Sequence, residues 1–450
     1  MLSFVIGIAG ILLTIFFVVG VHEFGHFFVA RLVGIKVLRF SMGFGKALFR
    51  WHDKKGTEYV IAAIPLGGYV KMLDENEDPV DKSELHLAYN RQPVYKRAAV
   101  VIAGPFFNLL FAFLLYWLMF IVGFTVIVPV IGKITPHSIA ADAGLKPNQE
   151  IVRIDNKSVL SWTSISIRLM PHIGEKSVLT IETKNPVSSH TQSHRLDLSG
   201  WQVNDLQPEP LESLGIIPLE PVIPSVITKI EPNSPAAKSS LKPADKIISI
   251  NDQPINSWNE AMAFITLHPD QSFPFTIKRN GKIETFFVNI GSKTRYFKKF
   301  GYLGIETQFE WPLNLRRHVQ YRPIEALSHA LQNTYDFTYL NFLVFEKMLT
   351  GKMSLKSLGG PITIFASAGG ALNSGLLPFV SFLAFLSISI GIINILPIPG
   401  LDGGHLLFQF IEFAIRRPIP LRIQFFFYRL GIILLFLLIT QALVNDILRL

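Results

Sequence analysis

The 450 residues carry a formal net charge of +9 and no cysteine, and 49% of them are hydrophobic. Without cysteine, disulfides and thiolate metal sites are excluded, so any metal must be held by His, Asp or Glu. The chain is too long for one ordinary domain, and long uncharged runs alternate with soluble-looking sequence, the pattern of a membrane protein carrying an extramembrane module. Its basic residues lie in loops rather than in one block, which points to orientation in a bilayer and away from nucleic acid.

From the N-terminus, Met1–Val21 has no charged residue, and the apolar character continues to Ala30. The run lacks the basic start and small-residue cleavage site of a signal peptide. It supplies the roughly 20 apolar residues that a spanning helix needs, so 1–33 is predicted as the first transmembrane helix. Within it lies His22-Glu23-Phe24-Gly25-His26. On a helix, positions i and i+4 share a face, so both imidazoles can reach one metal ion while Glu23 takes a proton from water. A charged residue at the centre of a spanning helix costs roughly 2.5–3.5 kcal/mol, so such residues are functional candidates. The bland alternative is a histidine pair satisfied by neighbouring helices.

Residues 34–97 read as a cytoplasmic loop. Ile35–Arg50 and Tyr59–Met72 are strand-like runs broken by Gly43, Gly45, Gly67 and Gly68, and their apolar character predicts a β-hairpin that re-enters the membrane edge. Residues 98–127 are predicted as the second transmembrane helix, with Gly104, Pro105 and Asn108 as packing residues.

Outside the membrane the sequence repeats itself. Lys-Ile-Thr-Pro-His-Ser-Ile-Ala-Ala from Lys133 recurs as Lys-Ile-Glu-Pro-Asn-Ser-Pro-Ala-Ala from Lys229, and Ser161-Trp162 recurs as Ser257-Trp258. A constant offset of this size signals duplicated domains, predicted at 128–220 and 221–310. The order of strand, helix and turn signals resembles a PDZ domain in permuted form, although Ser240 stands where the first copy has Gly144. Such domains bind extended peptides by strand addition; the alternative is a pair of rigid spacers or size filters.

Residues 311–372 carry helical apolar spacing with Tyr335, Phe337, Tyr339, Phe342 and Phe345, and are predicted as an interfacial amphipathic region. The third transmembrane helix, 373–401, runs into Asn394-Ile-Leu-Pro397-Ile-Pro399-Gly-Leu-Asp402-Gly403-Gly404-His405. Irregular backbone near membrane depth is tolerated only where protein buries it or it lines a watery cavity. A catalytic zinc needs a third protein ligand. Asp402 is the best candidate, with His405 as its rival. A cytoplasmic loop at 402–424 and a fourth transmembrane helix at 425–450 complete the chain. Lys and Arg in 31–97 and at Arg416, Arg417 and Arg422 place both loops on the cytoplasmic side.

HEFGH in the first span, Asn394-x-x-Pro397-x-Pro399-x-Leu401-Asp402-Gly403 in the third and the tandem PDZ-like pair between spans together resemble the site-2 protease family of zinc intramembrane metalloproteases, in its Gram-negative branch. The resemblance covers essentially the whole chain. It implies a polytopic α-helical membrane protein with four transmembrane helices, a re-entrant β-hairpin region and two periplasmic PDZ domains. It also implies Zn2+ held by His22, His26 and Asp402, with Glu23 as general base and Asn394, Pro397 and Pro399 helping to bind substrate. The implied substrates are single-pass membrane proteins already trimmed on the periplasmic side, such as an anti-sigma factor of the sigma-E envelope stress response, and remnant signal peptides. The implied location is the bacterial inner membrane, with the active site toward the cytoplasm.

Overall fold

The computed structural model describes residues 2–185, 190–203, 209–295 and 298–449. Four of its helices are long and apolar enough to cross a membrane by length and composition. They are α1 (Leu2–Leu32), α2 (Val94–Val122), α5 (Leu376–Ile395) and α7 (Leu421–Leu448). The second helix is displaced from the predicted 98–127. It starts directly after Pro93, and Gly123, at φ +84°, ends it. The β-branched run that follows, Phe124–Ile127, is a strand paired with Arg316–Val319.

Much of α7 faces outward: Phe426, Ile432 and Phe436 are each more than 60% exposed. An apolar surface of that extent is stable only against lipid or another protein. The core among the helices is built from small residues. Ala112 of α2, Ala326 and Ala330 of α3 (Pro323–Leu349), and Ala384 of α5 are fully buried around Tyr116, Ile388 and Ile392. Alanine at these positions lets backbones approach closely, which is how helices associate where lipid removes the hydrophobic drive. A shorter helix, α4 (Pro361–Asn373), crosses α1, where a side chain on Gly7 or Gly10 would strike Phe365 or the Ala368 carbonyl.

The segment at 402–424 is largely not a loop. Asp402–Ile415 is helix α6, because Leu406, Phe410, Phe413 and Ala414 continue an apolar helical spacing past the two glycines. The amphipathic segment at 311–372 likewise divides into α3 and α4. The face of α3 packs on α2 and α5 through Tyr116, Phe337 and Phe385, so protein covers part of the surface predicted to meet the interface.

Two long strands, β1 (Val37–His52) and β2 (Glu58–Met72), form the sheet after α1. Their pairing is more than a simple hairpin. Arg39 lies opposite both Lys71 and Glu58, and Met42 opposite both Gly68 and Ile61, so the first half of β1 is flanked on each side by part of β2. The end of β2, from Gly68 to Met72, is left at an edge.

Between α2 and α3 stand two α+β units of like order, each with a four-stranded antiparallel sheet and its own core. Residues forced into the left-handed region recur with the sequence offset: His137 and Asn233, Asn148 and Ala244, Asp155 and Asn251, and Asn156 and Asp252. The Gly144-to-Ser240 difference has a local counterpart. Gly144 adopts φ +76° after an α-turn at Ile139–Asp142, whereas the second unit has a 3-10 turn at Ala236–Lys238 in place of that α-turn. The first unit is tied to α3 by Arg168 and Asp336 at 2.7 Å and by the buried Lys347, whose ammonium donates to the Ile173 carbonyl at 2.7 Å.

Candidate active site

The site forms where the middle of α1, the start of α2 and the α5–α6 junction meet. On α1, His22 and His26 lie one turn apart with their Nε2 atoms 3.2 Å from each other. Asp402, the first residue of α6, brings Oδ2 to 3.1 Å from His22 Nε2 and 3.4 Å from His26 Nε2. The three ligand atoms all lie within 4.8 Å of one another.

The α5–α6 junction explains how Asp402 arrives there. Leu396-Pro397 stops α5, because the residue before a proline is pushed out of the helical region. The chain then doubles back so tightly that a Cβ at Gly403 would sit 2.2 Å from the carbonyls of Ile395 and Leu396, and one at Gly404 would sit 2.6 Å from that of Ile398. Only glycine permits that return, which sets Asp402 at the helix start facing α1.

Protonation follows from the surrounding acceptors. His26 Nδ1 donates to the Val100 carbonyl at 2.8 Å, which leaves the Nε2 lone pair facing Asp402. His22 Nδ1 lies 3.4 Å from the Asn108 amide, whose Oδ1 is buried without a partner. The two orientations of an amide fill the same space. The one that turns Oδ1 to His22 accepts Nδ1–H and leaves Nε2 as an electron-pair donor. Asp402 Oδ2 is itself buried with no hydrogen-bond donor aligned on it. A buried carboxylate oxygen without a proton donor, beside two imidazole lone pairs, fits a divalent cation far better than it fits empty space.

Glu23 lines the same cavity as the three candidate ligands, a half-open space of about 1,020 Å3. The sheet edge at Gly68–Met72 forms one wall of it, and a Cβ at Gly68 would come within 2.9 Å of Glu23 Cγ. Polar side chains including Asn90, Arg97, Gln409 and Glu412 carry the lining away from the site. Such a lining admits water.

Of the remaining sequence-predicted residues, Asn394 reaches the cluster, its amide 3.4 Å from His22 Nε2. Pro397 and Pro399 shape the α5–α6 turn and are not among the described residues lining the cavity. His405 lines it but turns its Nδ1 to the Tyr428 hydroxyl at 3.0 Å, and it is not in the three-ligand group. Two contributors escaped sequence reasoning. Asn108, read as packing, contacts His22, and Gly104 lies so close that a Cβ there would be 2.3 Å from His26 Nε2. The available signal was a lone amide in an uncharged run, four residues after a glycine.

The sequence model for peptidase family M50 matches residues 10–438. The chain is 41% identical to the regulator of sigma-E protease RseP of Escherichia coli strain K12, over 100% of both proteins. It is 37% identical to the regulator of sigma E protease of Haemophilus influenzae, again over the whole of each. A Vibrio cholerae protein provisionally named a zinc metalloprotease is 38% identical over 96% of both chains.

Proposed function

The chain belongs to peptidase family M50 and is a metalloendopeptidase of the intramembrane type; on that premise we propose that it is a zinc enzyme acting through His22, His26, Asp402 and Glu23. The observation that carries this reading is the convergence of two imidazole nitrogens on a buried, undonated carboxylate oxygen. His22, His26 and Asp402 would hold the ion at the wall of the cavity that they line. Bound zinc supplies Lewis acidity toward a carbonyl and lowers the pKa of water to about 7.

Glu23, which lines the same cavity as the three ligands, takes the proton from the attacking water and returns it to the departing amine. Asn108 and Val100 fix the imidazole tautomers. Asn394 reaches toward the same atoms and orients the substrate carbonyl, while Pro397 and Pro399 shape the turn that positions the substrate beside Asp402. A substrate helix hides its peptide groups in its own ladder, so it must unwind first. The Gly68–Met72 edge, one wall of the cavity, pairs with the unwound strand by β-addition. Proline at Val70 or Lys71 then slows cleavage without lowering protein levels; unaffected cleavage would remove the pairing step.

The four long helices span the bacterial inner membrane, with the loops at 34–97 and around Arg416–Arg422 cytoplasmic. The two α+β units are periplasmic PDZ domains that screen access. The substrates are single-pass membrane proteins already shortened on the periplasmic side, such as an anti-sigma factor, and remnant signal peptides. The test is Glu23→Gln in the full-length protein. Zinc content stays at the wild-type level while cleavage of a tagged single-span substrate stops. Undiminished cleavage would overturn the assignment.

A further inference from the structure

Between the first turn of α2 and the end of α6 lies a crevice of about 560 Å3, lined by Val94, Arg97, Glu412, Phe413, Arg416 and Arg417 among others. Arg97 is engaged: its Nη2 donates to Glu412 at 2.7 Å and its Nε to the Gln92 carbonyl at 3.2 Å. Arg416 and Arg417 have no ion-pair or hydrogen-bond partner among the described residues, so the crevice carries two uncompensated positive charges. Arg416 also occupies the left-handed position after α6, at φ +54°, where glycine would sit without strain. Leading from the crevice along α6, Leu407, Phe410 and Phe413 are 41%, 68% and 71% exposed. Guanidinium groups at one end and an open aromatic and aliphatic strip at the other match an anionic amphiphile.

We propose that this crevice binds the headgroup of an anionic phospholipid, its phosphates on Arg416 and Arg417 and its acyl chains along α6. Basic pockets between spanning helices on the cytoplasmic side take such headgroups. Two free guanidinium groups favour a headgroup with two phosphates, as in diphosphatidylglycerol, over one with a single phosphate. The site rests on the proposed orientation, with the end of α6 at the cytoplasmic membrane surface. Arg97 and Glu412 line both this crevice and the catalytic cavity, so the lipid is a neighbour of the chamber in which hydrolysis occurs.

The test uses the full-length Glu23→Gln protein, so that it reads binding and not cleavage, reconstituted in phosphatidylcholine nanodiscs. Native mass spectrometry and thermal shift follow titration with diphosphatidylglycerol, with phosphatidylcholine and with inorganic phosphate. Diphosphatidylglycerol is expected to bind and stabilise, and the other two are not. Arg416→Gln with Arg417→Gln weakens that binding about thirtyfold, at about fivefold per guanidinium near an anionic surface. If inorganic phosphate alone reproduces the shift, the site is a free-anion site and the lipid proposal fails. Equal binding by the double variant also overturns it. Should that variant not fold, Arg417→Gln alone, which removes one charge, must weaken binding about fivefold; unchanged affinity there counts against the site. Labelling of Arg422→Cys from the periplasmic side of intact cells would instead undo the orientation on which the proposal rests.

Discussion

Replacing Gly104 by alanine adds one methyl group at the point where α2 meets the histidine pair. Built on the present backbone, that carbon lies 2.3 Å from His26 Nε2 and 2.8 Å from His22 Cε1, whereas ordinary contact begins near 3.4 Å. The His26 ring must therefore withdraw by about 1.1 Å, the difference between 3.4 and 2.3 Å, or α1 and α2 must part by a similar amount. Metal ligation tolerates about 0.2 Å, and a displacement near 1 Å at a reacting centre costs about 100-fold in rate. Stability is affected far less. Overpacking costs about 1–3 kcal/mol, and alanine recovers about 1 kcal/mol of helix propensity over glycine. The expected result is a folded, membrane-inserted protein with reduced zinc content and cleavage slowed about 100-fold, read by metal analysis and single-turnover assay on a tagged single-span substrate. Full zinc and unchanged cleavage would refute the argument that this backbone approach sets the site.

Three further outcomes follow from other contacts. Asp402→Asn keeps the side-chain shape and removes the anionic donor, so zinc is lost on dialysis under conditions in which Glu23→Gln retains it; equal retention would exclude Asp402 as a ligand. Asp446 accepts hydrogen bonds from the backbone of Gly360, Ile362 and Thr363 and from the Thr363 hydroxyl, capping α4 from the end of α7. Asp446→Ala should cost about 0.5–2 kcal/mol, typical of a lost cap, and be seen as faster trypsin cleavage at Lys352 and Lys356. Glu175 is held down to about 2, from an ordinary value of 4.5, by Lys352 and then Lys347. A lowered carboxyl stabilises above its unfolded value and loses that contribution as pH falls through the folded one. Amide protection around Ile173–Glu175, measured relative to the intrinsic exchange rate at each pH, should therefore be flat from pH 7 to about 4.5 and fall toward about 2, with Glu175→Gln removing that pH dependence.

Local signals carried much of this architecture. HEFGH needs only one helix to bring two imidazoles together, and the 96-residue offset between copies needs only comparison of the chain with itself. Asp402 was legible as a candidate ligand because two prolines and two glycines mark a sharp return. Features created by elements meeting across long sequence distances were not legible. The closeness of Gly104 to His26 depends on where two helices cross, which no periodicity records. The interleaving of β1 with both halves of β2 depends on bulges at glycines that in sequence only read as breaks. Helix α6 was missed because Gly403-Gly404 and the downstream arginines read as loop punctuation, while its apolar spacing is only 14 residues long.

The approach of α1 to α2 has a mechanical consequence. A Cβ on Gly25 would lie 2.5 Å from the Ala103 carbonyl, one residue before the Gly104 contact with His26. The backbones of the two helices therefore touch at the level of His22 and His26. Spanning helices answer a thicker or thinner bilayer by tilting, and two rods pinned at one point tilt about that point. Their ends sweep through the largest arcs, and the fulcrum stays still. A change of bilayer thickness should therefore alter how substrates reach this enzyme while leaving the approach of Gly104 to His26 unchanged.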